Sequence, residues 1–172
     1  MSSISGGGSP GPQASRPAVL VYGYGNPGRQ DDGAGVALAD ALERWAGSAG
    51  RPWLTFERNY QLNVEDALEA LRHRIVVFLD ATADQEEPFR FLSLQPSSRP
   101  TFTTHQMRPE SVLALCRDLY GSCPFGRLLT IRGYSWEPGQ AMTEHAFRNL
   151  EAARSWLVPR LEDPGRLLTE QP

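Results

Sequence analysis

Lysine is missing altogether: all 17 basic residues of the 172-residue chain are arginine. Arginine in place of lysine is a weak sign of thermal adaptation, and the bias reads as genome composition rather than function. A basic excess is missing too. The 17 cations face 20 carboxylates, a net charge of −3, so the chain lacks the electrostatic footprint that nucleic acid requires. No apolar run exceeds about six residues, where a bilayer span needs ~20. No basic segment leads into an apolar one at the start of the sequence, so no secretory signal is read. Cysteine is scarce. Cys116 and Cys123 fit neither C-x-x-C nor a zinc spacing, and they are expected to be reduced thiols in a cytoplasmic protein.

The common hydrolase signatures are also absent. There is no H-E-x-x-H and no G-x-S-x-G, and neither cysteine lies in an obvious loop with a histidine partner. Histidine itself occurs three times, as His73, His105 and His145.

What is present suits one domain with a substantial core. Residues 1–17, nearly all Gly, Ser, Pro and Ala, cannot bury enough surface to offset ordering entropy and are expected to be a flexible tail. The folded domain is expected over residues 18–163, with fraying from Pro164 onward. Strand one covers residues 18–23, and Val36, Leu38, Ala39, Leu42 and Trp45 then recur at helical spacing. Residues 53–58 alternate as a second strand. Asn63 is a candidate N-cap for a helix through Val64, Ala67, Leu68 and Leu71, with Glu65 and Asp66 in its first turn. The run Ile75-Val-Val-Phe-Leu79 is continuously apolar, as a strand buried on both faces should be, and it ends in Asp80.

A fourth strand at residues 89–94 follows a turn too short for a crossover helix, so it is expected to pair antiparallel with strand three. Pro109 sits where the first residue of a third helix belongs. Residues 127–133 form strand five, and Thr143 with Glu144 opens the last helix. Alternation of strand and helix predicts an α/β fold: a three-layer α/β/α domain around a twisted, mainly parallel five-stranded sheet with one antiparallel strand.

The chain is organised around LVYGYGNPGRQDDGAGV, residues 20–36. Gly23-x-Gly25-x-x-Gly28 matches the dinucleotide fingerprint, but the helix does not begin inside it and Asp31 and Asp32 would repel a pyrophosphate. No nucleotide cofactor is expected. A cation suits the carboxylates better. Asp31 or Asp32 after strand one, Asp80 at the end of strand three and His105 in the loop after strand four all fall at the carboxyl edge, where open α/β sheets bind ligands. Each has a plainer reading: Asp32 as an N-cap before Gly33, Asp80 as a turn acceptor, His105 as an exposed loop residue. Their shared edge favours a metal site. Carboxylate and imidazole donors suit Zn, Ni, Co or Mn without selecting among them. His73, between two arginines at a helix end, and His145, in the first turn of a helix, read as solvated or structural.

GYGNPGRQDDGAG, VVFLDAT, the TTHQ loop before an apolar helix, and LLTIRGYSWEPGQAMT together resemble the hydrogenase maturation endopeptidases over residues 18–156. The resemblance implies removal of a C-terminal extension from a nickel-iron hydrogenase large-subunit precursor after nickel insertion, with the nickel supplied by the substrate. It implies metal contact by Asp32, Asp80 and His105, with cleavage drawing on a metal-polarised carbonyl or a metal-activated water. Gly25, Asn26, Asp31, Gln61 and Glu65 would touch substrate or support the ligands, Asp31 as loop support. Many members carry an Asp-Gly-Gly-Thr-like segment after strand two. Here Arg58-Asn59-Tyr60-Gln61 stands instead, leaving that role absent or taken by Glu57, Gln61 or Glu65. The YQLNVEDAL run looks like a subgroup serving soluble, NAD-linked hydrogenases. Two alternatives stand beside this reading. One is a chaperone that checks nickel without cutting. The other is a peptidyl-tRNA hydrolase-like esterase, whose opening GYGNPG resembles but whose Thr-Arg-His-Asn continuation is missing.

Overall fold

The computed structural model describes residues 17–86, 88–98 and 107–169. Among them run β1 (Val19–Tyr24), a 3₁₀ turn (Gln30–Gly33), α1 (Ala34–Gly47), β2 (Leu54–Asn59), α2 (Asp66–Ala70), β3 (Ile75–Thr82), β4 (Phe89–Leu94), α3 (Pro109–Tyr120), β5 (Phe125–Arg132), α4 (Glu144–Glu162) and α5 (Gly165–Thr169). The sheet order is β2-β1-β3-β5-β4, with every pair parallel except β4 on β5.

Strand alternation divides the core in two. Val19, Val21, Ile75, Val77 and Leu79 face α1 and α4, while Leu20, Tyr22, Val76 and Phe78 face α2 and α3. Both faces of β1 and β3 are therefore dry, which is why their sequences read as unbroken apolar runs. The three-layer, mainly parallel arrangement is the one expected.

The structure departs from the sequence reading in several details. β4 pairs with β5 rather than with β3, because β1 and β5 already occupy both edges of β3. β3 continues past Asp80 to Thr82, so Asp80 lies within the strand, opposite Thr130. The second helix is shorter than its periodicity suggests. Asn63 to Glu65 make i to i+3 turns before α2 begins. Beyond Pro164, where fraying is expected, α5 buries Leu167 completely, and the Leu167 carbonyl accepts from Arg127 Nε at 2.8 Å. Residues 1–16 lie outside the described residues, as does His105. Both cysteines are free, Cys116 buried and Cys123 exposed.

Pro109 opens α3, Gly121 in the left-handed conformation closes it, and the Thr143 side chain caps α4 by accepting from Ala146 N. No helix among the described residues is long and apolar enough to cross a membrane.

The start of α1 is pressed against the ends of β1 and β3. A Cβ on Gly35 would stand 2.3 Å from the Leu79 carbonyl oxygen and 2.9 Å from that of Tyr24. Both are backbone atoms and cannot step aside. Gly35→Ala is therefore expected to cost about 1–3 kcal/mol, read as a lower denaturation midpoint with an unchanged slope.

Candidate functional site at the carboxyl edge

After Tyr24 the chain leaves the sheet through Gly25, whose φ of +130° is open only to glycine. A Cβ there would meet the Asp32 carbonyl oxygen at 2.1 Å. The loop thus doubles back until Asp32 lies against Gly25, and the Asp32 carboxylate accepts from Asn26 N at 3.1 Å. Asn26 in turn accepts from Gly28 N at 2.9 Å, a local turn of the kind asparagine favours. Gln30 holds a left-handed φ of 52°, uncommon for a residue with a side chain.

The adjacent carboxylates have separate tasks. Asp31 is fully buried, and its side chain accepts from Tyr134 N (2.8 Å), Ser135 N (3.1 Å), Thr143 N (2.7 Å) and Thr143 Oγ1 (2.8 Å). Burial pushes its pKa up, but these hydrogen bonds outweigh that and hold it below the usual carboxylate range. Asp31 is a clasp between the loop after β1 and residues 134–143, the loop after β5. Gly139 N to Gly28 O, Asp31 N to Ser135 O and Glu137 N to Gln30 Oε1 complete the seam.

Asp32 is only partly buried, and its carboxylate has no described donor beyond Asn26 N. Asp80 accepts from Ala81 N at 2.7 Å, and the Tyr24 hydroxyl hydrogen-bonds to it. Burial pushes Asp80 up to about 6; the Tyr24 and Ala81 hydrogen bonds oppose the rise, and the Asp32 carboxylate adds to it. Burial and then the Asp80 charge push Tyr24 well above the ordinary phenol range. The Asp32 charge thus reaches Asp80, and a cation held by both would ease the cost of ionising Asp80.

Other candidates fall elsewhere. His105 is outside the described residues, and among those described no group of three or more His, Cys, Asp or Glu is placed to hold a metal ion. Gln61, Glu65 and Glu57 are all exposed. The acid that turns inward after β2 is Asp66. Its carboxylate accepts from Asn63 N at 2.7 Å, and the Tyr22 hydroxyl hydrogen-bonds to it; burial raises its pKa. Sequence reasoning placed Asp66 only as a first-turn charge. Its spacing three residues after Asn63, the interval of a capping box, was the available signal. His73 bridges Thr55 Oγ1 and the Glu69 carbonyl, and His145 packs edge-on against Tyr134.

A groove of about 250 Å3 is lined by Gly25, Pro27, Val36, Arg58, Asn59 and Tyr60. Arg58 is held there by Asp40 and Glu43. A larger hollow of about 660 Å3 between α1 and α4 is lined by none of the candidate residues.

No family model and no curated protein sequence matches this chain. Solved structures do. The nickel-iron hydrogenase maturation protease HycI of Thermococcus kodakarensis superposes with a TM-score of 0.67 at 19% identity, covering 87% of this chain and 95% of that one. The hydrogenase maturating endopeptidase HybD of Escherichia coli gives 0.66 at 20% identity, covering 86% and 94%. A hydrogenase 2 maturation peptidase of a Thaumarchaeota archaeon gives 0.61 at 22% identity, covering 84% and 98%. Over most of its length this chain has the fold of the nickel-iron hydrogenase maturation proteases.

Proposed function

We propose that the protein is an endopeptidase that removes the C-terminal extension of a nickel-iron hydrogenase large-subunit precursor, and that it recognises the nickel already inserted there. The observation that carries this reading is Asp80 at the carboxyl edge, whose pKa burial pushes up to about 6, with the partly buried Asp32 on the loop after β1, in a fold shared with maturation proteases. His105, four residues before α3 begins at Pro109, is proposed as the third contact. A ligand set of two carboxylates and an imidazole leaves coordination positions to the substrate's own donors. Only a precursor that brings the ion would then seat its tail productively. Asp32, Asp80 and His105 would hold the ion, which would supply a charge that polarises the scissile carbonyl or lowers the pKa of an attacking water, and the clasp at Asp31 holds the surrounding loops.

Mixing purified protein with nickel-loaded and nickel-free precursor tests this. The loaded precursor alone should lose its tail. A stable complex with the tail intact would make the protein a nickel-checking chaperone instead.

The raised Asp80 pKa gives the reading a pH signature. A cation must displace the proton that Asp80 carries below about 6, so affinity for loaded precursor should fall as pH drops through 6 and level off above it. Calorimetry from pH 5 to 8 checks this, and a flat profile would remove Asp80 from the contact set.

A further inference from the structure

Two tyrosines follow one another on one face of β1, and each meets an aspartate: Tyr22 hydrogen-bonds to Asp66 and Tyr24 to Asp80. The second pair is built into the sheet. Gly23 lies opposite Leu79 in the β1–β3 register, so Tyr24 and Asp80 are the next positions on the two strands, on the side of Tyr22 and Phe78. On its other flank Asp80 has Thr130, whose hydroxyl donates to Gln85 Oε1. The Gln85 amide donates back to the Thr130 carbonyl at 2.7 Å. Among the described residues, Tyr24 is therefore the side chain that donates to Asp80, beside the backbone donor Ala81 N.

A buried phenol needs a partner in any case, so the bond by itself would be no more than a satisfied hydroxyl. Its place in the chain makes more of it. Tyr24, Gly25 and Asn26 are consecutive, and between them they touch both proposed carboxylate contacts. Tyr24 reaches Asp80, Gly25 lies against the Asp32 carbonyl, and Asn26 N donates to the Asp32 carboxylate at 3.1 Å. The stretch is itself pinned. Gly35 leaves no room for a Cβ against the Tyr24 and Leu79 carbonyls, and Gly25 N donates to Asn59 O at 3.2 Å. Three residues thus tie the orientation of Asp80 to the position of Asp32. Without the hydroxyl, Asp80 would keep only the bond from its own neighbour Ala81 and would be free to turn about its side-chain torsions.

We propose that Tyr24 is a positioning residue for the cation contact: its hydroxyl, delivered from β1, holds the Asp80 carboxylate in a fixed orientation relative to Asp32. The inference rests on the processing function proposed above and gives Tyr24 no contact with the ion itself. Hydrogen-bond partners of metal-contacting carboxylates generally act in this way, and losing one costs roughly 10–100-fold in affinity.

The test compares Tyr24→Phe with Tyr22→Phe in the full-length protein. Each variant keeps its ring and loses one hydrogen bond to a carboxylate that retains a backbone donor, Ala81 N or Asn63 N, so both should melt a few degrees below the wild type. The readout is the ratio of affinities for nickel-loaded and nickel-free large-subunit precursor encoded in the same genome, measured before trimming sets in. A merely structural loss weakens both forms alike and leaves the ratio where it was. Tyr24→Phe is expected to cut the ratio by about 10–100-fold, and Tyr22→Phe to leave it unchanged. An unchanged ratio in Tyr24→Phe, or an equal fall in Tyr22→Phe, overturns the positioning role. The processing function stands if the wild type favours the loaded precursor and trims it. A wild type with no preference for the loaded form overturns both.

Discussion

Asp31→Asn is expected to destabilise the protein by about 2–4 kcal/mol, because an amide would turn N–H groups toward donors that now meet a carboxylate oxygen. Tyr134 N and Ser135 N both donate to Asp31 Oδ2, and Thr143 donates through its backbone and hydroxyl. For a domain of this size the loss corresponds to a fall of roughly 5–15 °C in melting temperature. The sign of its pH dependence follows from linkage. The folded pKa of Asp31 lies below the ordinary value, so in the acid range the unfolded chain binds more protons. The stabilisation is present above the ordinary carboxylate pKa of about 3.9 and is lost as pH falls through the folded value. Thermal melts of wild type and variant should therefore differ most near neutrality and converge in acid. Asp32→Asn, at a partly buried position with one backbone donor, should leave the melting temperature nearly unchanged and abolish nickel-dependent binding. If a folded Asp31→Asn lost that binding while Asp32→Asn kept it, the two roles would be exchanged.

Asp80→Asn is expected to reverse this balance, losing activity while gaining stability. Processing of loaded precursor should drop more than ~100-fold, since even the outer partners of a metal-contacting group are worth 10–100-fold. The folded pKa of Asp80, at about 6, lies above the ordinary value of about 3.9. Between those values the folded chain binds more protons than the unfolded one, so stability falls as pH rises through that window. Above pH 6 the wild type carries the full cost of an ionised Asp80, and the asparagine variant does not. A variant that melts higher at pH 7.5 and fails to trim is what a residue kept for function rather than stability should give. His105→Ala should likewise abolish trimming while leaving the fold intact. Normal trimming by either variant would sink the proposed contact set.

Local chemistry made most of the architecture legible. The unbroken apolar runs of β1 and β3, Pro109 at the start of α3 and the Thr143 cap each follow from short-range rules, and the structure contains all of them. Pairing was less legible. The short 84–88 turn pointed β4 at β3, but β5 arrives later in the chain and takes that edge, a decision made by contacts distant in sequence. α5 was hidden for a similar reason, since Leu167 is buried by the α1–α4 side of the core, whose other members lie mostly far away in sequence.

The site divides in the same way. Asp80 is marked by following the apolar run of β3 and Asp32 by the glycine loop after β1, whereas the clasp at Asp31 joins residues more than a hundred positions apart. Asp66 is held inward by Asn63 N and by the Tyr22 hydroxyl of the sheet, and the second of these is not local.

The central claim is that Asp32, Asp80 and His105 converge on one cation. Crystals soaked to saturation in a cadmium or nickel salt and measured at the metal's absorption edge test it directly. The account predicts an anomalous peak about 2–2.5 Å from a carboxylate oxygen of each aspartate and from the His105 imidazole. Ions seated only elsewhere, with Asp32 and Asp80 uncoordinated, would contradict it.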